Sequence, residues 1–243
     1  MSDKVSKELQ NKLQRALKTA TSLGVEKIVV DNHSIRGDSQ ENSTMFILPF
    51  EAGTELDIGA MGITRVQELN SRIKLLKDEG TLLADFKTRD SGDKFVLRLV
   101  LKRDKTSIDF KCADPAMLKC PKALNDPDHF SFSFTKEDVD LMNSSKSVMK
   151  SDKVSFTSKD QKTVNFTISA SEGDILSHEL ETDLDIKTDT DTFTVSYKTN
   201  ILFPVLKELT TDLKKDTVTV TITRRGIMKL DVHGIPAYVF AEV

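Results

Sequence analysis

The order of helix-like and strand-like stretches runs through once and then begins again, and this repetition constrains the fold more than any single motif. Residues 7–22 read as a helix, with Ser6 a suitable N-cap and Gly24 a suitable stop. The β-rich runs EKIVV (26–30), TMFILPF (44–50) and ELDIGA (55–60) follow, the first two separated by the turn-forming DNHSIRGDSQENS. A second amphipathic helix is expected over about 64–79, then strands at TLLADFK (81–87), KFVLRLVL (94–101) and SIDFKCA (107–113). FSFSF (130–134) opens the second half as one extra strand, alternating as a half-buried strand should. The cycle then recurs: a helix over 136–149, strands at DKVSF, TVNFTIS, SHELETDLDI and FTVSY, a helix near 200–209, and closing strands TVTVTIT, GIMKLDV and AYVFAEV. Pro204 is expected in the first turn of that last helix, where a missing N–H costs nothing.

Such a rhythm predicts an α+β chain of two similar domains, each with antiparallel sheets and two helices on one face. The expected boundaries are 1–113 and 129–243. The connector, 114–128, contains Pro115, Pro121 and Pro127 and reads as stiff, extended chain. With 38% hydrophobic and 30% charged residues, each half can bury a core beneath a solvated surface. No apolar run reaches membrane-span length and the first residues lack the apolar core of a secretory signal, so a cytoplasmic location is expected. Cys112 and Cys120 give neither a zinc pattern nor a disulfide framework. No phosphate-binding loop or nucleophile motif occurs, so neither catalysis nor a cofactor is expected.

Charge is distributed unevenly about a net of −3. At 100° per residue the first helix places Leu9, Leu13, Ala16, Leu17 and Ala20 on one arc, with Lys4, Lys7, Arg15 and Lys18 opposite and Lys12 on the flank. Lys74 on the second helix, Lys146 and Lys150 on the third, and Lys198 and Lys207 by the fourth complete a candidate cationic surface. On the third helix Glu137, Asp138 and Asp140 offset the lysines. Any one of these could be an ordinary solvated face. Together, without base-reading clusters and with no tryptophan, they suit duplex phosphates rather than sequence readout or single-strand stacking.

Two other segments differ in sign. Residues 94–111 carry +4 and residues 172–191 carry −7. If both are sheet edges, unlike edges of successive copies can pair head-to-tail; Lys105, Ile108, Phe110 and Lys111 would meet Ile175, Ser177 and Glu179. Plain surface is the alternative, and calcium a weaker one for Asp183, Asp185, Asp189 and Asp191, which lack the EF-hand glycine and glutamate.

Two α+β halves, a mid-chain connector, basic helices and the ending GIPAYVFAEV resemble the DNA sliding clamps. The likeness is to the two-domain trimeric type, proliferating cell nuclear antigen and the clamps of tailed bacteriophages. KVSKELQNKLQRAL, ADPAMLKCPK and AYVFAEV look most like the phage branch. The resemblance implies a homotrimeric ring around double-stranded DNA, twelve helices lining its channel, a DNA polymerase tethered to it and a separate clamp loader. It also implies peptide docking beside the connector, carried over here to Pro115, Met117, Leu118, Ile227, Val239 and Ala241; core packing is an equal alternative for Ile227 and Val239. The rivals are a monomeric DNA-binding processivity factor and a non-DNA α+β adaptor.

Overall fold

The computed structural model describes residues 2–51, 56, 58–76, 80–121, 123–159, 163–180, 192–211 and 217–242. The chain divides into two units, Met1–Ala123 and Leu124–Val243. Unit 1 contains β1 (Ser2–Lys4), α1 (Lys7–Ser22), β2 (Lys27–Val30), β3 (Ser34–Asp38), β4 (Thr44–Pro49), β5 (Met61–Ile63), α2 (Val66–Leu76), β6 (Thr81–Thr88), β7 (Lys94–Arg103) and β8 (Thr106–Lys111). Unit 2 contains β9 (Asp128–Thr135), α3 (Lys136–Met149), β10 (Lys153–Lys159), β11 (Thr163–Ser169), β12 (Ile175–Leu180), β13 (Thr192–Lys198), α4 (Thr199–Thr211), β14 (Thr217–Thr223), β15 (Met228–Val232) and β16 (Ile235–Val239).

The two units repeat one connectivity. In unit 1 the strand orders are β1-β6-β7-β8 and β5-β2-β3-β4; in unit 2 they are β9-β14-β15-β16 and β13-β10-β11-β12. Element for element these are the same path, with antiparallel pairing throughout the registered ladders. The helices match too: α1 packs against α2, β3 and β4, α2 against β7, α3 against α4, β9 and β11, and α4 against β13 and β14. The repeat is therefore closer than the sequence rhythm suggested, because β1 supplies the leading strand that the first half seemed to lack.

Residue identity diverges while the path is kept. Unit 1 buries an aliphatic helix face, Leu9, Leu13, Ala16, Leu17 and Ala20, and Ser6 caps that helix by accepting from Leu9 N at 3.2 Å. Unit 2 has an aromatic core. Phe130, Phe132 and Phe134 face inward from β9, and the rings of Phe132, Phe134, Phe156 and Tyr197 follow one another at centroid separations of 5.1, 5.8 and 5.9 Å. The alternate residues of β9 point outward, where Ser131 and Ser133 pair with Thr221 and Thr219 at 2.8 and 3.0 Å.

Several expectations are corrected. Residues 34–38 are a fully buried strand, not turn, because Arg36 lies inside paired to Asp31 at 2.7 Å. Gly37 lets that strand approach its neighbour: a Cβ there would sit 2.6 Å from the Lys27 carbonyl. The strand expected at 55–60 falls instead at Met61–Ile63, with Ala60 making one bridge to Phe95; residues 55 and 57 lie outside the described residues. Pro204 is the sixth residue of α4, in its second turn. Its missing N–H leaves the Asn200 carbonyl without the usual helical donor, and both residues are exposed, so water can supply one. The ends of the expected second helix (77–79) and of SHELETDLDI (181–186) lie outside the described residues.

Replacing Phe132 with alanine removes a ring touching three others, and should lower unfolding stability by about 3–5 kcal/mol in urea denaturation followed by circular dichroism. A loss below about 1 kcal/mol would contradict the packing described.

Candidate functional site

On α1 the buried stripe fixes where the charges go. Lys7, Arg15 and Lys18 are exposed on the opposite side, and Lys4 is exposed at the end of β1. Lys12 differs: its Nζ lies 2.6 Å from Glu8 and 5.2 Å from the centre of the Phe50 ring, and its hydrogen bond holds the Glu8 carboxyl below its usual range. Lys12 is thus partly neutralised within its own helix. Lys74 is exposed on α2, one turn beyond Asn70, whose amide donates to Thr21 Oγ1 of α1 at 3.0 Å. That bond sets Lys74 on the flank of α2 nearest the basic helix.

In unit 2, Lys150, Lys198 and Lys207 are exposed, while Lys146 is half-buried over the Phe203 ring at 5.9 Å. The acids of α3 do not act as a block. Asp138 is buried in a capping box: its Oδ2 accepts from Thr135 N at 2.7 Å and Oγ1 at 2.8 Å, and its Oδ1 pairs with His178 Nε2 of β12 at 2.9 Å. Only Glu137 and Asp140 remain exposed. Thr135-x-x-Asp138 was readable as a capping signature, and reading it would have removed Asp138 from the surface charge.

The connector folds back on its own unit. Ala113 exchanges backbone hydrogen bonds with Gly62 of β5 at 2.8 and 3.2 Å, and a Cβ on Gly62 would lie 2.8 Å from both the Ala113 carbonyl and Leu118 Cδ1. Only glycine leaves room for this seam. Asp114 pairs with Arg89 and accepts from Ala116 N at 2.9 Å, capping a single 3-10 turn over Pro115–Met117, so the connector is not extended throughout.

A groove of about 670 Å³ separates Pro115–Pro121 from β2 and β3, with Val29, Arg36 and Asp38 opposite the connector. A second cavity of about 660 Å³ shares Asp31, Ala60, Arg89 and Pro115 with it and continues towards Gly92–Phe95. Val29, Ala60, Pro115, Leu118 and Pro121 give the groove apolar lining beside its charged groups. Arg36 pairs with Asp31, Lys27 with Asp38 at 3.3 Å, and Cys120 Sγ donates to Asp38 Oδ1 at 3.2 Å. Burial pushes the Asp31 carboxyl up, but Arg36 and the backbone N–H groups of His33 and Ser34 outweigh it and hold the group below its usual range. Burial raises both thiols from 9.0 to about 12, helped at Cys120 by the bond to Asp38.

Of the expected docking residues, Pro115 and Leu118 line the groove and Met117 stands beside it, 80% exposed. Ile227 and Val239 are corrected: both are buried, Ile227 in the turn between β14 and β15 and Val239 at the end of β16, and Ala241 is half-buried next to Gly226. The opposite wall, Val29, Arg36, Asp38 and Asn42, was missed because its central strand read as a turn.

At the expected edges, β8 and β12 are each the outermost strand of their orders. Lys105 and Lys111 are exposed and Ile108 half-buried, but Phe110 is fully buried, its ring 4.6 and 5.5 Å from the Arg65 and Arg72 guanidiniums. Phe110 is therefore a packing residue of unit 1. Ile175, Ser177 and Glu179 are exposed along β12. Asp183, Asp185, Asp189 and Asp191 lie outside the described residues, and among the described residues no cluster of three or more His, Cys, Asp or Glu could hold a metal ion.

No protein-family model and no curated protein matches this sequence. Solved structures do. Proliferating cell nuclear antigen of A. fulgidus, in a complex with the C-terminal region of FEN-1, aligns over 100% of this chain and 98% of its own, with a TM-score of 0.63 at 12% identity. The chain has the fold of that sliding clamp. The clamp of Entamoeba histolytica matches equally well, with a TM-score of 0.63 at 13% identity and the same coverage. A PCNA2–PCNA3 complex from Sulfolobus tokodaii gives 0.60 at 15% identity over 100% and 99% of the two chains. The clamp fold spans the whole chain, so its doubled path belongs to the architecture and not to an added domain.

With both thiols raised, native protein at pH 8 holds little thiolate. Its reaction with an aromatic disulfide should be on the order of a hundredfold slower than that of urea-unfolded chain. Equal rates would contradict the environments described.

Proposed function

We propose that this protein is a DNA sliding clamp: copies join into a homotrimeric ring that encircles duplex DNA and tethers a DNA polymerase and other replication proteins. The observation that carries this reading is a clamp fold over the full chain with exposed cations on the helix face opposite the core, Lys7, Arg15 and Lys18 above all. These cations would centre the sugar-phosphate backbone without reading bases, and so permit sliding. The ring does no chemistry. It raises processivity by holding the polymerase at high effective concentration near its template. A separate ATP-driven loader would open it, and the sequence likeness to the clamps of tailed bacteriophages favours a phage replication system in a host cytoplasm.

Partner proteins would dock through short peptides in the groove between Pro115–Pro121 and β2–β3. The A. fulgidus clamp bound to the C-terminal region of FEN-1 supports docking by a chain terminus, and the PCNA2–PCNA3 complex supports assembly between clamp subunits. Proline and the Gly62 seam hold the connector wall in place, which lowers the entropy lost on binding.

Substituting Lys7, Arg15, Lys18 and Lys146 together by alanine should leave the oligomer mass unchanged and shorten processive synthesis about tenfold at physiological salt, with a weaker salt dependence of DNA association. Undiminished processivity would count against the channel assignment. A chain that stays monomeric at micromolar concentration yet stimulates a polymerase would favour the monomeric processivity factor.

A further inference from the structure

Arg36 sits in the middle of β3, lines the groove beside the connector, and is only 5% exposed. A guanidinium carries five N–H donors in a fixed fork. In Arg36, Nη1 already serves two acceptors, Asp31 Oδ2 at 2.7 Å and Ser34 Oγ at 2.9 Å. Nε is buried and has no hydrogen-bond partner, and among the described residues Nη2 donates to none either. The side-on edge formed by Nε and Nη2 is therefore unspent. Arg98 shows what that edge suits: its Nε and Nη2 both donate to Asp85, while its Nη1 turns to Asp109 at 2.8 Å. A buried donor that has left water without gaining an acceptor destabilises the fold, and a ligand oxygen placed there recovers the bond.

The surroundings of Arg36 select the ligand. The acids of the groove are already held, Asp31 by Arg36 and by the N–H groups of His33 and Ser34, Asp38 by Lys27 and the Cys120 thiol. Three cations, Arg36, Arg89 and Lys119, line the groove against Asp31 and Asp38, and counting the partners Lys27 and Asp114 as well leaves the same surplus of one positive charge. Lys119 is exposed at the rim and pairs with no acid among the described residues. A nucleic-acid strand would bring successive phosphates against Asp31, Asp38 and Asp114. A peptide brings one carboxylate between apolar groups, which matches both the fork and the lining.

We propose that the connector groove selects its partner segment by a single carboxylate, which seats on Nε and Nη2 of Arg36 while the flanking apolar side chains cover Val29, Leu118 and Pro121. The inference rests on the docking groove described above and names the chemistry it reads. Asp31 is a positioning residue: by holding Nη1 it fixes the plane of the guanidinium and leaves the side-on edge for the ligand. The carboxylate comes from an acidic side chain or from the end of the partner chain.

The test is fluorescence anisotropy of the full chain with three short labelled peptides of leucine, serine and glycine. One has a central aspartate and an amidated end, the second an asparagine and an amidated end, and the third an asparagine and a free C-terminal carboxylate. At least one carboxylate peptide should bind about tenfold more tightly than the second peptide, and which one does so separates side chain from terminus. Arg36→Lys keeps the charge beside Asp31 but lacks the fork, and should bring all three within about twofold; the wild-type comparison decides whether or not this variant folds. A preference retained by folded Arg36→Lys and lost in Lys119→Ala would overturn the assignment. Equal affinity of the three for wild type, weakened alike by Ala116→Trp at an exposed position of the groove, would overturn the carboxylate reading and leave the docking groove standing. No binding of any peptide to wild type would overturn both.

Discussion

A strand at the margin of a sheet carries backbone N–H and C=O groups that must find partners or remain in water, and this requirement organises the whole molecule. One strand path is laid down twice. The segment that follows the last strand of each path then covers another margin: Ala113 bonds to Gly62 of β5, and Glu242 N donates to Ser196 O of β13 at 2.9 Å. On β8, by contrast, the carbonyls of Asp109 and Lys111 accept from Arg72 and Arg65 at 3.4 and 3.3 Å. β12 exposes Ile175, Ser177 and Glu179. Such outer strands are what the proposed ring would join.

The same path serves different needs because its two units fill it differently. Unit 1 buries an aliphatic helix stripe, leaving the far side of α1 for lysine and arginine. Unit 2 relies on clustered, largely edge-to-face phenylalanines, and its Asp138 is spent on the capping box and on fixing β12 through His178. Hydrogen-bonding demand thus places charge: Asp138 goes inward, Glu137 stays out, and Arg36 is drawn under the connector by Asp31. The groove that results sets apolar connector residues beside the ion pairs Arg36–Asp31 and Lys27–Asp38, so a peptide docking there meets carboxylates whose charge is already offset.

Strong local periodicity made much of this legible in the residues. The bounds of α1 and α3 and the alternation of FSFSF follow from spacing and caps alone, and so does the doubled order of elements. What stayed hidden depends on distant partners. Ser34–Asp38 reads as a turn because its arginine and aspartate look solvated, and only Asp31 and Lys27 explain their burial. β1 is three residues long and exists because β6 lies beside it. The groove joins Val29 and Asp38 to Cys120 and Pro121, a juxtaposition that no local pattern encodes. Periodicity also cannot say whether an apolar residue near a closing strand faces core or partner, so for Ile227 and Val239 the docking role implied by the clamp resemblance and core packing are equal alternatives until the structure buries both.

The proposed function is topological, in that a ring stays on DNA because it surrounds it and not because it grips it. The most direct measurement loads the protein onto a nicked circular duplex with its loader, raises the salt to screen phosphate contacts, and follows retention by gel filtration before and after one restriction cut. The account predicts retention on the closed circle at high salt and rapid loss once the ends are free. Loss from the intact circle at high salt, or equal retention on circle and linear DNA, would contradict it.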